Sequence, residues 1–334
     1  MVKRSLAMQL DEVVQAMMIS LPPRPEESPS PDLPPLLNVA RELRDLPRGE
    51  FRAALKSELQ RRASMNEGTA AAPSLFPATR AVHYMRPGFS SITPYILVKE
   101  AAKFIEFLKS AFQGTERMRV PEPDGTIMHA EVAVGNGMIE IGDANEVYPA
   151  RPMAIHLYVD DSDATYERAV QAGATPIYPM ADQPWGDRQG AVKDQFGNHW
   201  YIAMVKGWTP GPEGLRTVQP YLHLRESQKM IPFVEAAFGA EALGVATSPE
   251  GAVLHATIRI GNATLEIDEE HGEFRAMPCY LHVYVPDVDE VYARALRAGA
   301  AASEPPADKP YGDRAAAVKD PFGNTWFIAT YLGR

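Results

Sequence analysis

Two glutamates in apolar surroundings are the first residues of this sequence that could do chemistry. Glu140 lies in GMIEIGD and Glu266 lies in ATLEIDE, and both stretches are otherwise mostly apolar. Burial of an unpaired carboxylate is costly, so each glutamate should meet a histidine or an arginine, or should face a wet cavity. A carboxylate held in a cavity is a candidate general base.

Four histidines recur near these glutamates. His129 and His255 precede them on the neighbouring predicted strand, and His156 and His282 begin the blocks HLYV and HVYV. A histidine facing Glu140 across the turn could form an acid/base pair or part of a rudimentary metal site. The alternative is a structural role, because most buried polar groups are simply hydrogen-bonded within the protein.

Two loops carry further candidate ligand contacts. In PWGDR and PYGDR, Arg188 and Arg314 could hold a carboxylate or a phosphate through paired hydrogen bonds, or could instead bond aspartates of their own loops. Trp185 and Tyr311 lie between proline and glycine in the same loops. Their rings are candidates for stacking on a ligand.

These residues come in pairs because the chain contains an internal repeat. Residues 93–204 align with residues 219–330 at a constant offset of 126 and without a gap. Shared blocks include HLYV and HVYV, and VKDQFGNHW and VKDPFGNTW. We predict two tandem domains, residues 91–208 and 216–334, joined by a linker rich in glycine and proline.

Periodicity within each copy predicts the elements that position these side chains. ITPYILV is an apolar strand, and Phe104, Leu108 and Phe112 recur at helical spacing in the segment that follows. Alternating segments around GNG then predict a hairpin, and the same order of elements recurs after Pro152. Each copy is therefore predicted to hold two βαβββ halves, and the whole chain an α+β fold of four such modules.

The first 90 residues belong to neither copy. Residues 22–35 hold seven prolines, which favours extended conformations over a packed core. Apolar residues at helical spacing on either side predict two short helices. We expect residues 1–90 to form a short helical, proline-rich leader.

Composition limits the class of protein. Lys+Arg 33 against Asp+Glu 43 gives a formal net charge of −10, which argues against nucleic acid as a partner. A single cysteine excludes an intramolecular disulfide framework and a thiolate-rich zinc site. No apolar run is long enough to cross a bilayer and no signal-peptide core is present, so we predict a cytoplasmic protein that contacts no membrane.

The strand and helix blocks, the duplication and the PWGDR and DQFGNHW motifs together resemble the glyoxalase/bleomycin-resistance superfamily, also called vicinal oxygen chelate, and within it the PhnB-like branch. The resemblance covers residues 91–331. It implies that βαβββ modules pair into cup-shaped half-barrels that take a small organic molecule. It also implies that the two copies form an internal pseudo-dimer, as single-copy relatives pair to complete their cups.

In metal-dependent members of that superfamily, four side chains from the first, fourth, fifth and eighth strands bind one divalent ion. The resemblance places these positions at Thr93, Glu140, Ala154 and Tyr201 in the first copy, and at Gln219, Glu266, Tyr280 and Phe327 in the second. If the copies exchange partners, one cup collects Thr93, Glu140, Tyr280 and Phe327, and the other collects Gln219, Glu266, Ala154 and Tyr201. Only the two glutamates keep a carboxylate, and alanine, tyrosine, phenylalanine and threonine cannot complete an octahedral site. We therefore predict no cofactor and no canonical metal.

Three functions remain open at this point. The first is binding of a small organic molecule in an apolar cup without a metal. The second is an enzyme of the same fold: a metal-independent lyase or isomerase with Glu140 and Glu266 as bases, or an atypical-metal enzyme, such as a dioxygenase, using His129, Glu140 and His156. The third is a scaffold that recruits a partner through the leader helices. Fold alone does not distinguish them.

Overall fold

A computed structural model describes residues 84–205 and 217–333 of the chain. Its strands are β1 Ile92–Val98, β2 Thr115–Pro121, β3 Ile127–Val134, β4 Gly137–Asp143, β5 Ala154–Tyr158, β6 Thr175–Asp182, β7 Asp187–Lys193, β8 His199–Val205, β9 Val218–Leu224, β10 Glu241–Thr247, β11 Val253–Ile260, β12 Ala263–Glu269, β13 Tyr280–Tyr284, β14 Ala301–Asp308, β15 Asp313–Lys319 and β16 Thr325–Tyr331. Its α-helices are α1 Ala101–Phe112, α2 Ser162–Gln171, α3 Met230–Phe238 and α4 Val288–Arg297. The order strand, helix, three strands occurs four times, which confirms the predicted α+β fold of βαβββ modules. The predicted leader helices lie outside the described residues.

The helices form where the sequence supplies an apolar face and a cap. In α1, Phe104 and Leu108 are fully buried at helical spacing. Asp161 caps α2, because its carboxylate accepts a hydrogen bond from the backbone N–H of Ala164. Asp287 caps α4 in the same way. None of the described helices is long and apolar enough to cross a membrane.

The strands form two eight-stranded sheets, and each sheet takes one module from each copy. The first sheet has the order β14-β15-β16-β13-β1-β4-β3-β2, and the second has the order β10-β11-β12-β9-β5-β8-β7-β6. β1 joins β13 antiparallel, with Thr93 opposite His282, and β5 joins β9 antiparallel, with His156 opposite Gln219. The two copies therefore pair within one chain and exchange modules.

The glycine-asparagine turns of two hairpins fasten one copy to the other. Asn136 accepts a hydrogen bond from the backbone N–H of Thr217 at 2.8 Å, and Asn262 accepts one from that of Ser91 at 2.8 Å. Gly135 has a φ of +56°, and a Cβ there would lie 2.3 Å from Oγ1 of Thr217. Glycine is required at this turn by the backbone conformation and by the close approach of the other copy.

A buried carboxylate fixes the last hairpin of each copy. Asp194 accepts hydrogen bonds from the indole N–H of Trp200 and from the backbone N–H of Asn198, both at 2.9 Å. Asp320 accepts the same bond from Trp326 at 2.9 Å. Burial raises the pKa of both aspartates. These donors compensate for the loss of water around the carboxylates and hold the two tryptophans in the core.

Residues 84–90, which fall inside the predicted leader, already pack on the first sheet. The backbone N–H of Tyr331 on β16 donates to the carbonyl of Tyr84 at 2.9 Å. Phe89 is 6% exposed and clusters with Met138 and Tyr284. The contacts of the first sheet therefore begin before residue 91.

We predict that one copy alone cannot remain monomeric, because β1 and β5 would each lose the strand that pairs with it in the intact chain. Residues 84–205 expressed alone should associate into a dimer that rebuilds both sheets. Sedimentation velocity measures the mass, with the full chain as reference. A stable, soluble monomer would contradict the pairing.

Candidate functional site

The face of each sheet opposite to the helix-packed core carries the candidate glutamates, since Glu140 alternates along its strand with Ile139 and Ile141, which belong to the same core as the helix residue Phe104. We call this face of the first sheet the first cup and that of the second sheet the second cup. The first cup combines the strands that carry Thr93, Glu140, Tyr280 and Phe327, and the second cup combines those that carry Gln219, Glu266, Ala154 and Tyr201. This is the distribution expected when the copies exchange modules.

Each glutamate is paired with a histidine from the other copy. Oε2 of Glu140 lies 2.6 Å from Nδ1 of His282 in the first cup, and Oε2 of Glu266 lies 2.7 Å from Nδ1 of His156 in the second. All four residues are buried. The pairing that a buried carboxylate requires is supplied by an imidazole 142 or 110 residues away in the sequence.

This pairing favours the charged form of His282 in the first cup and of Glu266 in the second. Burial by itself lowers the pKa of His282. The neighbouring Glu140 carboxylate raises this pKa by a larger amount, so the pKa ends above its ordinary value. Burial by itself raises the pKa of Glu266. The neighbouring His156 lowers this pKa by a larger amount, so the pKa ends below its ordinary value. The two cups therefore share a buried carboxylate–imidazole pair.

The hydrogen-bond partners of His129 are residues other than Glu140. Its Nδ1 lies 3.3 Å from the hydroxyl of Tyr95, and its Nε2 lies 3.4 Å from Glu131. His156 lies on β5 in the other sheet, so the metal set of His129, Glu140 and His156 is wrong, because its members are divided between the two cups. The exchange of modules separates residues that are neighbours in one copy.

The residues at the positions that the resemblance assigns to a metal do not fit a divalent ion. In the first cup, Tyr280 donates to a backbone carbonyl at 2.9 Å, and Phe327 has no donor atom. In the second cup, Ala154 has none either, and the hydroxyl of Tyr201 lies 2.7 Å from Nε2 of His223. Within residues 84–205 and 217–333, no group of three or more His, Cys, Asp or Glu could hold a metal ion.

Arg188 and Arg314 hold their loops to helices. Arg188 makes two hydrogen bonds to Asp163 of α2, at 2.5 and 2.6 Å, and Arg314 makes two to Asp289 of α4, at 2.6 and 2.7 Å. Arg188 is not among the residues that line the second cup. These arginines therefore bond aspartates of the protein, and their main partners lie on the helices.

Aromatic contacts fill part of the first cup. Phe327 packs against Tyr95 and Tyr148, with ring centroids 5.3 and 5.4 Å away. Tyr280 lies 6.2 Å from Phe327 with its ring nearly parallel. Tyr311 remains half exposed at the rim, where burial and the nearby carboxylates raise its pKa to about 12. Phe327 and Tyr280, two of the candidate positions, therefore pack against aromatic side chains of this cup.

The second cup holds a cavity of about 690 Å³. Its charged, aromatic and imidazole lining consists of Asp187, Glu266 and Asp268; Tyr158, Tyr178, Trp185, Tyr201, Tyr221 and Phe274; and His156, His223, His255 and His271. No described side chain in this lining is a lysine or an arginine. Trp185 is 65% exposed, and His255 is exposed as well, so both lie where the cavity meets solvent.

A hydrogen-bonded chain in the second cup escaped the sequence analysis. Nδ1 of His223 lies 2.5 Å from Asp268, and its Nε2 lies 2.7 Å from the hydroxyl of Tyr201. The first copy has Leu97 and Gly142 at the positions of His223 and Asp268, so the repeat does not carry this chain into the first cup. The alignment of the two copies contains a signal for this chain, because an apolar residue and a glycine of the first copy are replaced in the second by a histidine and an aspartate.

Two groups in the second cup are poised to interact with a ligand. Nε2 of His156 is buried and has no hydrogen-bond partner among the described residues, although His156 lines the cavity. Burial raises the pKa of Asp187, although His156 counteracts part of this effect. A bound molecule that donates a hydrogen bond or brings a positive charge would compensate both groups.

Each cup is built from two paired βαβββ modules, one from each copy. The family model described as "Glyoxalase/Bleomycin resistance protein/Dioxygenase superfamily" matches residues 81–202 and 223–328. The chain belongs to this superfamily, which confirms the resemblance seen in its motifs.

Two relatives and one solved structure are similar to this chain over part or most of its length. The uncharacterized protein Mb0911c of Mycobacterium bovis is 38% identical over 123 residues, which cover 34% of this chain and 81% of that protein. Rv0887c of Mycobacterium tuberculosis, also uncharacterized, is 37% identical over 123 residues, covering 34% and 72%. Glyoxalase I from Zea mays matches with a TM-score of 0.56 at 17% identity, over 72% of this chain and 92% of that one. At this identity the match shows the fold alone.

We predict that Glu140→Gln lowers the free energy of unfolding more at about pH 6 than at about pH 9. The folded pKa of His282 is raised. Its pairing therefore stabilises the fold fully below the unfolded pKa of about 6.5, and this stabilisation is lost as the pH rises through the folded pKa. The expected loss at the lower pH is about 1 to 3 kcal/mol.

Urea denaturation of the wild type and the variant at both pH values measures this difference. Glu250→Gln, which changes an exposed glutamate in a turn, is the control for a general effect of removing one charge. A loss of equal size at both pH values would show that Glu140 does not act through His282.

Proposed function

We propose that the chain binds a small organic molecule, with an aromatic body and a positive charge, in the second cup and without a divalent metal. The observation that carries this proposal is the composition of the cavity. Aromatic walls and three carboxylates surround about 690 Å³, and no described lining side chain is cationic by nature, as lysine and arginine are. The volume lies within the roughly 300 to 1,000 Å³ of small-molecule sites.

The aromatic walls offer surfaces on which a flat ligand can stack. The ring of Tyr201 lies 5.2 Å from that of Tyr221 and 6.0 Å from that of Phe274. The ring of Tyr178, on β6 of the same sheet, lies 6.4 Å from that of Tyr201. Such rings favour an aromatic body through edge-to-face and offset contacts, and they attract a cation through their faces.

The charges of the cavity favour a cation over an anion. Glu266 and Asp268 each contact an imidazole, and burial raises the pKa of Asp187 even though His156 and Trp185 counteract part of the rise. A ligand cation would counteract the rest of the rise. A carboxylate or phosphate ligand would meet three acidic side chains and, in the described lining, no lysine or arginine.

We predict that Glu266→Gln weakens the binding of basic aromatic compounds by about 1 to 3 kcal/mol, because glutamine keeps the shape of the side chain and removes its charge. Glu140→Gln makes the same change at the equivalent position of the first cup and should leave the affinity unchanged. Isothermal titration calorimetry measures both variants, with neutral aromatic compounds of the same size as reference. Equal losses in the two variants, or no binding of any basic aromatic compound to the wild type, would contradict the proposal.

The metal-free part of the proposal has its own test. Wild-type protein purified without chelator is analysed for Mn, Ni, Zn and Fe, and is titrated with each divalent ion. We expect no stoichiometric metal, because the donor set at the superfamily positions does not fit one. Tight binding of a divalent ion that disappears in Glu266→Gln would instead favour the metal-enzyme alternative.

A second candidate function, a metal-independent lyase or isomerase, is favoured by the chain of Asp268, His223 and Tyr201. With Nδ1 of His223 bonded to Asp268, its Nε2 can accept the proton of the Tyr201 hydroxyl or return it. Nε2 of His156, a residue that lines the same cavity, has no hydrogen-bond partner among the described residues and could accept a second proton. Two such groups could move a proton between two positions of one bound molecule.

We predict that, if this second function holds, a bound compound exchanges a carbon-bound proton with solvent and that Tyr201→Phe slows the exchange by about 10² to 10⁴. NMR in D₂O of each compound that binds measures the exchange. Tyr178→Phe is the control, because it removes a hydroxyl of the same cavity outside the chain. Binding without exchange in the wild type would leave the binding function alone.

Three finer hypotheses stay predictions. The PhnB-like branch rests on the PWGDR and DQFGNHW motifs, and the cytoplasmic location rests on composition and the single cysteine. The scaffold hypothesis concerns leader helices outside the described residues.

A further inference from the structure

The segment of residues 84–90 places a cation and an aromatic ring in the first cup. Nη1 of Arg86 lies 2.8 Å from Oε1 of Glu131 on β3. The ring of Phe89 packs edge-on against Tyr284 at 5.6 Å and against His282 at 6.5 Å. Glu131, Tyr284 and His282 all lie on strands of the first sheet, so the segment reaches from one module of this cup to the other.

Arg86 interacts electrostatically with the acidic groups of this cup. Burial lowers its pKa, but Tyr284, Glu131, Asp313 and Glu140 together raise it above the ordinary value. Arg86 in turn counteracts the rise that burial causes in the pKa of Asp313. The guanidinium therefore compensates several acidic groups of the first cup at once.

The second cup keeps the glutamate, the aspartate and the tyrosine of this set, but it has Thr257 at the position of Glu131 and a different residue at the position of the arginine. At the offset of 126, Glu140 corresponds to Glu266 and Asp313 to Asp187, while Pro212 stands at the position of Arg86. The histidine and tyrosine of the first cup also recur, because His156 and Tyr158 match His282 and Tyr284. Among the described side chains that line the second cup, none is an arginine or a lysine.

A second observation points to a ligand with N–H donors. When His156 is neutral, its Nδ1 proton faces Glu266 and its Nε2 is an acceptor. That atom is buried and has no partner among the described residues, and His156 is one of the residues that line the cavity. A planar group with several N–H donors could bond it and a carboxylate together, which a single ammonium point charge does less well.

We propose that residues 84–90 are an internal ligand of the first cup, and that the second cup takes a free molecule of the same chemistry: a guanidinium or amidinium group carried on an aromatic ring. This inference rests on the proposed binding function of the second cup and adds the chemical class of the cation. Arg86 and Phe89 are the two parts of the internal ligand. The first cup is thus closed to this class of ligand by the chain itself.

The first experiment compares three probes of one shape on the full chain by calorimetry. Benzamidine carries the amidinium group, benzylamine an ammonium group and benzamide a neutral amide. We expect one benzamidine per chain, bound about tenfold more tightly than either of the others. Glu266→Gln should abolish this preference. Equal affinity for benzylamine and benzamidine would overturn the chemical class while leaving the binding function in place, and no binding by either cation would overturn the binding function.

The second experiment vacates the first cup. Arg86→Ala combined with Phe89→Ala should let the chain bind a second benzamidine, and adding Glu131→Gln should weaken only that second site. Because the double variant risks misfolding, Arg86→Ala alone is tested with millimolar guanidinium chloride. Guanidinium chloride should raise the melting temperature of this variant above its value in ammonium chloride of the same concentration. It should not do so for the wild type.

The two parts of the inference fail separately. A folded double variant that binds no more benzamidine per chain than the wild type, or an Arg86→Ala variant that guanidinium does not stabilise, would overturn the internal ligand. Neither result depends on whether the second cup binds a basic compound. A gain of the second site would support the internal ligand even if the affinity of the second cup for benzamidine proved weak.

Discussion

Both cups depend on one backbone constraint: β1 hydrogen-bonds to β13, and β5 to β9, across the two copies of the repeat. In the first cup, β1 lies between β13, which carries His282, and β4, which carries Glu140. In the second cup, β9 lies in the same way between β5 and β12. Glu140 and Glu266 would otherwise be buried without a partner, at a cost of several kcal/mol. The glycine-asparagine turns, which dock against the opposite copy, hold the same junction together.

Because each cup contains one module from each copy, duplication within a single chain allows the two cups to differ. The first cup has Leu97 and Gly142 where the second has His223 and Asp268. Arg86 and Phe89 precede the first strand of the first copy, whereas the second copy has Pro212 and Leu215 there. A homodimer of one copy would carry every such change twice. The tandem arrangement therefore permits one cup to be filled by the protein and the other to receive a ligand.

The carboxylate–imidazole pairs show how a cup can satisfy its glutamate without an ion. In each cup the imidazole contacts the carboxylate through Nδ1, within 2.6 or 2.7 Å. A charge-assisted hydrogen bond of this kind is roughly twice as strong as a neutral one and needs only two residues. It leaves the second nitrogen of the imidazole without a bond to the carboxylate, and in the second cup that nitrogen, on the cavity-lining residue His156, is buried and has no hydrogen-bond partner among the described residues. The pair is thus both a structural contact and a polar group for a ligand.

The sequence by itself determined the local structure and the symmetry of this protein. Alternating and helical periods predicted the βαβββ modules, and the offset of 126 revealed the tandem copies. These features depend on neighbours a few residues apart, whose geometry the backbone fixes. The resemblance to the superfamily added which strands share a cup, and hence where Glu140 and Glu266 lie.

Only the tertiary structure decided which side chains meet. It paired Glu140 with His282 and not with His129, and it joined Arg188 to Asp163 on a helix. It also placed Arg86 against Glu131, inside a segment that composition assigned to the leader. Residues that are 25 to 142 positions apart form these contacts. No local period encodes the register between distant strands, because that register is set by the packing of whole modules against each other.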